Sequence, residues 1–225
     1  MKTIDINIVL DKSGSMGLLR QDIIGSFNTF IKEQKKEHKR KKVNFTLNTF
    51  NGDFETVYES IALKDVPELT EETYIPSGST ALLDSIGRTI AMIEQRYSTL
   101  AKKDKPVGTV IVIYTDGHEN TSKEFNKAML SKVITEKREL GWQFLFLASD
   151  EESIQDAIQM GMSMDTVITT NFHGAQGAQG YSAAHSSVGN IINTYVRSGA
   201  SEAMSFSDAD RKAQADLMNN TKGSN

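Results

Sequence analysis

A carboxylate and two hydroxyls follow directly on an apolar stretch near the start of the chain. The run IDINIVL at 4–10 leads into DKSGSM at 11–16, so Asp11, Ser13 and Ser15 occupy alternating positions. Gly14 allows the backbone to bend tightly between the two serines, so both hydroxyls can point to one side. The spacing therefore predicts an oxygen-rich site at the end of a buried strand.

Two further oxygen donors lie in later segments. Asp116 follows the apolar run in VIVIYTDGHENTS, and Thr80 lies in PSGSTALLDSIG, a loop rich in Gly and Ser that leads into a helical pattern. In open parallel sheets, ligands bind beyond the carboxyl ends of the strands, where the strand order reverses. If the strands before Asp11 and Asp116 are central neighbours, their carboxylates face one another across that crevice.

The chemistry of these side chains favours a hard divalent cation. Two carboxylates at one site repel each other unless a cation, a shared proton or backbone donors stabilise them. Hydroxyl and carboxylate oxygens suit Mg²⁺, Mn²⁺ or Ca²⁺ better than zinc or copper. Because most of the ligands are neutral, such an ion keeps excess positive charge and can accept a carboxylate from another molecule.

The elements that must position these residues alternate along the chain. Apolar runs predict six strands, and segments with helical spacing lie between most of them. Nearly all-apolar strands such as 110–114 are typical of a parallel sheet covered by helices on both faces. Asn51, Gly52 and Asp53 have hairpin chemistry and predict an antiparallel third strand at the edge. The predicted strands are 4–10, 43–50, 54–59, 107–115, 142–148 and 164–169. The predicted fold is therefore α/β, with a doubly wound, mostly parallel six-stranded sheet.

The carboxyl-terminal third is predicted to be less regular. The segment 169–181, TTNFHGAQGAQGY, has no periodicity and is expected to form a mobile loop. A helix is predicted over 182–198, and another over 208–217 in a tail with few large apolar residues. We expect one domain over 1–200 and a helical tail over 201–225 that lies on the surface or frays.

Composition limits the class of protein. Hydrophobic residues make up 38% and charged residues 24% of the 225 residues, which argues against a disordered or membrane protein. The sequence contains no cysteine, which excludes disulfides and thiolate metal sites and fits a reducing compartment. Few residues precede the first predicted strand, so we expect no signal peptide, a cytoplasmic location and no membrane partner. The net charge of −4 gives no general attraction to nucleic acid, and KKEHKRKK at 35–42 is expected to be a solvated helix end.

Together, the five oxygen donors resemble the metal-ion-dependent adhesion site of von Willebrand factor type A domains. The pattern of that family is Asp-x-Ser-x-Ser after the first strand, a Thr in a later loop and an Asp after the fourth strand. This chain has Asp11, Ser13 and Ser15, then Thr80, then Asp116, in the same order. The resemblance covers about residues 1 to 200 and implies a Rossmann-like fold. It also implies that the three hydroxyls bind the metal directly and that the two acids bind it directly or through water.

The resemblance implies a protein-binding module rather than an enzyme. A Mg²⁺ ion, with Mn²⁺ or Ca²⁺ as alternatives, would engage an Asp or Glu carboxylate on a protein partner. Residues around the metal would shape specificity, and we expect these to be Lys12, Met16, Leu18, Ser79 and His118.

Other interpretations remain open from the sequence. Metal-dependent phosphoester hydrolases also place an acid after the first strand of such a sheet, but they have a second acid two positions on, where this chain has Ser13. An RNA-associated protein of the same family is a further alternative, based on KKEHKRKK, but this run lacks aromatic residues for base stacking, so nucleic acid is not expected as a partner. In the plainest interpretation, Asp11, Ser13 and Ser15 form only a turn and a helix cap, Asp116 belongs to a strand-ending turn, and Thr80 is only a helix N-cap.

Overall fold

The chain folds into a sheet with helices on both faces. The computed structural model describes residues 2–116, 118–170 and 177–222, which contain six strands and six α-helices. None of the helices within these ranges is long and apolar enough to cross a lipid bilayer. The strands are β1 (Thr3–Asp11), β2 (Lys42–Phe50), β3 (Phe54–Ala62), β4 (Gly108–Tyr114), β5 (Gln143–Ala148) and β6 (Val167–Thr169). The helices are α1 (Arg20–Glu37), α2 (Leu82–Thr99), α3 (Lys127–Glu139), α4 (Glu151–Gln159), α5 (Gly177–Ser198) and α6 (Asp208–Lys222).

β1 lies in the centre of the sheet, between β2 and β4. The strand order is β3-β2-β1-β4-β5-β6, and every neighbouring pair is parallel except β2 and β3. The β2–β3 turn is closed by Asn51, whose side-chain oxygen accepts a hydrogen bond from the Asp53 N–H at 2.8 Å. Both the fold class and the antiparallel edge strand predicted from the sequence are confirmed. The central position of β1 next to β4 brings the ends of these two strands together.

Each face of the sheet packs on its own hydrophobic core. Ile8 of β1 belongs to the core formed with α1 and α5, whereas its neighbour Val9 belongs to the core formed with α2 and α3. Successive side chains of a strand point to opposite faces, so a strand covered on both sides has to be apolar at nearly every position. This explains the continuous apolar runs that the sequence shows in β1 and β4.

α5 begins earlier than the sequence pattern predicts. Its first residue is Gly177 rather than Ser182, so residues 177–181, which were predicted to be loop, are helical. The buried Tyr181 lies against Tyr114 of β4, with ring centroids 5.7 Å apart. This tertiary contact stabilises the first turn, and local periodicity could not reveal it. The remainder of the predicted loop at 171–176 lies outside the described residues.

The segment after α5 is anchored to the domain. Met204 and Phe206 are buried in the core that contains α1 and α5. The Phe206 N–H donates to the Asp165 carbonyl at 2.9 Å, and the Arg211 guanidinium donates to two backbone carbonyls next to and within β6. α6 itself is mostly exposed and lies on the surface, as expected, whereas the segment before it is anchored by two large apolar side chains, which the sequence analysis did not predict. The domain boundary at residue 200 stays a prediction.

Candidate functional site

Three loops meet at the carboxyl ends of the central strands. The loop after β1 is joined to the segment before α2, where the Gly14 N–H donates to the Gly78 carbonyl at 3.1 Å. Gly78 has a φ of 74°, a left-handed conformation that glycine adopts without strain. The same segment is joined to the loop after β4, because the Thr80 N–H donates to Asn120 Oδ1 at 2.9 Å and the Asn120 N–H donates to the Thr80 carbonyl at 3.1 Å. The loops therefore form one connected surface.

Three side-chain oxygens from two of these loops lie in a line of short contacts. Ser13 Oγ is 3.1 Å from Ser15 Oγ, and Ser15 Oγ donates to Asp116 Oδ1 at 2.8 Å. In an octahedral shell with metal–oxygen distances of roughly 2.1 Å, adjacent ligand oxygens are about 3.0 Å apart. The spacing of these three oxygens therefore fits neighbouring ligands of a Mg²⁺-sized ion.

Asp11 lies fully buried beside this line. Its carboxylate accepts hydrogen bonds from the Ser13 N–H at 2.6 Å and from Thr115 Oγ1 at 2.7 Å, and its backbone carbonyl accepts one from the Tyr74 hydroxyl at 2.6 Å. Burial raises the pKa of Asp11 to about 6, the charge of Asp116 adds to this rise, and the donors Thr115 and Ser13 oppose it. A cation next to this carboxylate would favour its charged form.

The helix-capping interpretation of the hydroxyls does not describe the structure. Ala81 occupies the N-cap position of α2 and has no side chain that could accept a hydrogen bond there. Ser13 occupies the N-cap position of the short 3-10 turn after β1, but its side chain makes no capping hydrogen bond. Thr80 is a buried residue that lies one position before Ala81 and makes no side-chain cap to the described part of α2. The first turn of α2 is instead capped by Glu119, whose carboxylate accepts from the Leu83 N–H at 2.9 Å. Neither Ser13 nor Thr80 is used to cap a helix.

Two acids hold the loop after β4 against α2, a role that was predicted for neither of them from the sequence. Glu119 accepts from the Leu83 N–H and from the N–H groups of 121–122 at 2.8 and 2.6 Å. Asp84 accepts from the backbone N–H groups of 123–125 at 2.8 to 2.9 Å. Burial acts to raise the pKa of Asp84, but these backbone donors bring it below its ordinary value. Glu119 is visible in the sequence as the acid within HENTS, but the Leu83 N–H to which it bonds in α2 is distant in sequence.

The predicted rim residues differ in their surroundings. Leu18 is 96% exposed, whereas Lys12 pairs with Glu55 of β3. Met16 is fully buried in the core with α1, which corrects its assignment to the rim. The 3-10 turn over Gly14–Leu19 directs Met16 inward and Leu18 outward. The predicted rim residues that are at least partly exposed are Lys12, Leu18, Ser79 and His118.

The donor set of the site is two carboxylates and three hydroxyls. No cluster of three or more His, Cys, Asp or Glu side chains suited to a metal ion occurs in residues 2–116, 118–170 and 177–222. Zinc and copper sites are built mainly from His nitrogen and Cys sulfur ligands, whereas oxygen ligands suit Mg²⁺, Mn²⁺ and Ca²⁺. The residues present therefore fit a hard divalent cation.

Comparison with known sequences and structures relates the chain to one family. The sequence matches the family model of the von Willebrand factor type A domain over residues 5–179. No curated protein matches the sequence. Among solved structures, the PilB minor pilin from Streptococcus sanguinis is similar with a TM-score of 0.62 at 12% identity, covering 87% of this chain and 62% of the pilin. This chain thus spans less than two thirds of the pilin.

Two other solved structures share the fold. The vWF domain of the type V pili tip protein Mfa5 from Porphyromonas gingivalis has a TM-score of 0.57 at 11% identity, covering 87% of this chain and 96% of that domain. The manganese-loaded TRAP protein from Plasmodium vivax has a TM-score of 0.55 at 15% identity, covering 76% of this chain and 69% of TRAP. At these identities the similarity concerns the fold alone.

Proposed function

The chain belongs to the von Willebrand factor type A domain family, and we propose that it binds a protein partner through a divalent cation at the candidate site. Domains of this family are protein-interaction and adhesion modules. The observation that carries the proposal is the line from Ser13 Oγ through Ser15 Oγ to Asp116 Oδ1, whose contacts of 3.1 and 2.8 Å match the edges of an octahedral shell. The proposed ligands are Asp11, Ser13, Ser15, Thr80 and Asp116.

The ligand residues have separate tasks in this proposal. Asp11 and Asp116 supply negative charge from a buried position, and hydrogen bonds from the Ser13 N–H and Thr115 hydroxyl fix the orientation of Asp11. Ser15 is exposed, so its hydroxyl lies where a partner approaches. Where the two acids bind it through water, a bound Mg²⁺ would supply a positive centre that attracts a partner's carboxylate, because its direct hydroxyl ligands are neutral.

We propose that the partner presents an Asp or Glu side chain to the site. The exposed Leu18 and the partly exposed Lys12 beside it would contact the surroundings of that acid. Mg²⁺ is the proposed ion, with Mn²⁺ or Ca²⁺ as alternatives, and the manganese-loaded TRAP structure supports the capacity of this fold for a divalent ion. Binding rather than catalysis is proposed, and a cytoplasmic location stays a prediction.

Isothermal titration calorimetry with MgCl₂, MnCl₂ and CaCl₂ tests the metal site. Ser13→Ala and Asp116→Ala remove proposed ligands, so we expect the Kd for the ion to rise at least about tenfold in each, as an order-of-magnitude value for a lost ligand. Thr29→Ala is the matched control, because this exposed hydroxyl lies on α1 and donates to the Gly25 carbonyl of the same helix at 2.9 Å. Absence of heat with all three ions at millimolar concentration would contradict the proposal.

Affinity capture tests the partner. Proteins retained by the immobilised wild-type chain in Mg²⁺ should be released by EDTA and should not be retained by Ser13→Ala. An Asp→Asn or Glu→Gln change at the contacted acid of the recovered partner should then abolish binding. Retention that is unaffected by EDTA and by Ser13→Ala would overturn the metal-mediated mode of binding.

A further inference from the structure

Positive side chains gather at the end of the sheet opposite the candidate metal site. They line two adjoining cavities of about 490 and 310 Å³, which share three of these cations. The larger cavity lies between the end of α1, the start of β2 and the segment after β3, and the smaller lies between the start of β1 and the end of α5. We call this surface the basic pole, and its cations are Lys2, Lys35, Lys39, Arg40, Lys41, Lys42 and Lys64.

The cations of the basic pole are not neutralised by the protein itself. Among the residues that the structure describes, no Asp or Glu lines either cavity. Across the same described ranges, none of the seven cations forms an ion pair with a carboxylate. The nearby Glu37 pairs with Arg197 instead. A concave, uncompensated positive surface remains within a chain whose net charge is −4.

The basic pole is more than the solvated helix end expected from KKEHKRKK. α1 ends at Glu37, so Lys39, Arg40 and Lys41 lie in the turn that follows it, and Lys42 begins β2. The turn is closed by the Lys41 N–H, which donates to the His38 carbonyl at 2.9 Å. The backbone therefore holds these cations together, and side chains distant in sequence, such as Lys2 and Lys64, complete the surface.

We propose that the basic pole binds the phosphodiester backbone of a nucleic acid. Two cavities joined by shared cations suit an extended chain of negative charges better than one small anion. The lining contains six lysines and one arginine; lysine binds phosphate as a point charge, and arginine can bind a phosphate group with two parallel hydrogen bonds. This lining offers no Phe, Tyr or Trp within the described chain, so bases are not stacked and recognition is independent of sequence.

A lipid surface fits the basic pole less well than a nucleic acid. Insertion into a bilayer needs exposed apolar side chains next to the charges. Among the described residues that line the two cavities, Val107 is the one large apolar side chain that is exposed, at 44%, and one such side chain offers little area for insertion. The surface is also concave, as the two cavities show, and this shape suits a strand or a helical backbone more than a flat membrane.

Fluorescence anisotropy with a labelled 20-base-pair DNA duplex and a labelled single-stranded RNA tests the proposal. Binding should weaken steeply between 50 and 200 mM salt, because phosphate contacts release counterions. Three neutralised lysines should weaken binding at 100 mM salt at least about tenfold and lower the slope of log K against log salt by about two to three. EDTA should not change binding, which separates this site from the metal site. The test variant carries Lys39→Gln, Lys41→Gln and Lys42→Gln.

A matched control removes the same charge from other faces of the domain. It carries Lys123→Gln, Lys132→Gln and Lys212→Gln, all at exposed positions. This control should bind as the wild-type chain does, and circular dichroism should show both triple variants folded. Tighter binding of the DNA duplex or of the single-stranded RNA shows which kind of nucleic acid the basic pole prefers, and either result supports the proposal. Equal weakening in both variants, absence of binding at 50 mM salt, or equal binding of polyglutamate or phosphatidylserine vesicles overturns it.

Discussion

The fully buried imidazole of His185 predicts a loss of stability in mild acid. His185 lies on α5, and its ring stacks on Tyr114 with centroids 4.7 Å apart and planes at 18°. Burial lowers the pKa of His185 to about 3, although its ring nitrogen Nδ1 lies 3.2 Å from the Tyr181 carbonyl, a contact that favours the protonated form. The folded chain therefore keeps this histidine neutral at pH values where an unfolded chain protonates it.

The sign and size of the effect follow from this difference in pKa. As the pH falls below about 6.5, the unfolded state takes up a proton that the folded state does not accept until the pH approaches 3. The stability contributed by the neutral His185 is therefore fully present above pH 6.5 and is lost as the pH falls. At about 1.4 kcal/mol per pH unit, His185 should lower the free energy of unfolding by about 2 kcal/mol between pH 7 and pH 5.

Urea unfolding in EDTA at pH 7 and pH 5 measures this loss. His185→Phe removes the titrating ring. Between pH 7 and pH 5, the free energy of unfolding of this variant should therefore fall by about 2 kcal/mol less than that of the wild-type chain. Val188→Ala, a buried position on the same helix, is the control and should lose similar stability at both pH values. Wild-type and His185→Phe chains that lose the same free energy would refute the reasoning.

Two further substitutions test contacts that the structure assigns to packing and to loop attachment. Asp84→Asn should lower the free energy of unfolding, measured in urea, by about 2 to 3 kcal/mol, because an amide cannot accept hydrogen bonds from all three N–H groups of 123–125. A loss below about 0.5 kcal/mol would contradict this role of Asp84. Gly108→Ala should lower the melting temperature, because its Cβ would lie 2.5 Å from the Tyr195 hydroxyl and 2.6 Å from the Ala200 Cβ. The double variant with Tyr195→Phe should recover part of this loss, and no recovery would place the strain elsewhere.

The sheet could be predicted because its signals are local. β1 and β4 are apolar along their whole length, and this pattern depends only on burial of both faces. Asn51 and Asp53 marked the hairpin for the same reason, since turn chemistry involves adjacent residues. The order of Asp11, Ser13, Ser15, Thr80 and Asp116 along the chain was likewise sufficient to propose the metal ligands.

The remaining features depend on contacts between distant segments. Glu119 was not assigned a role because its partner in α2 is 36 positions away. Met16 was placed on the rim because it directly follows the predicted ligands Ser13 and Ser15 in sequence, but the 3-10 turn rotates its side chain into the core. α5 began early because Tyr181 packs on Tyr114. For Glu119 and α5 a tertiary contact determined the outcome, and for Met16 a short 3-10 turn did; neither leaves a periodic signal in the sequence.

The parallel order of the central strands explains how one domain could carry the two proposed sites, which differ in charge. The carboxyl ends of parallel strands all lie on one side of the sheet, and their amino ends lie on the opposite side. Asp11 and Lys42 therefore lie at opposite ends of their strands, although β1 and β2 are neighbours. The nine residues of β1 are separated by eight steps of about 3.3 Å, so the two ends of the strand lie roughly 26 Å apart. Sites so far apart share no ligands, and exposed charges beyond about 8 Å are screened at physiological salt. Chelation should therefore abolish partner binding at the proposed metal site and leave nucleic-acid binding at the basic pole intact. A chain that lost both kinds of binding together on chelation would have to couple them through folding.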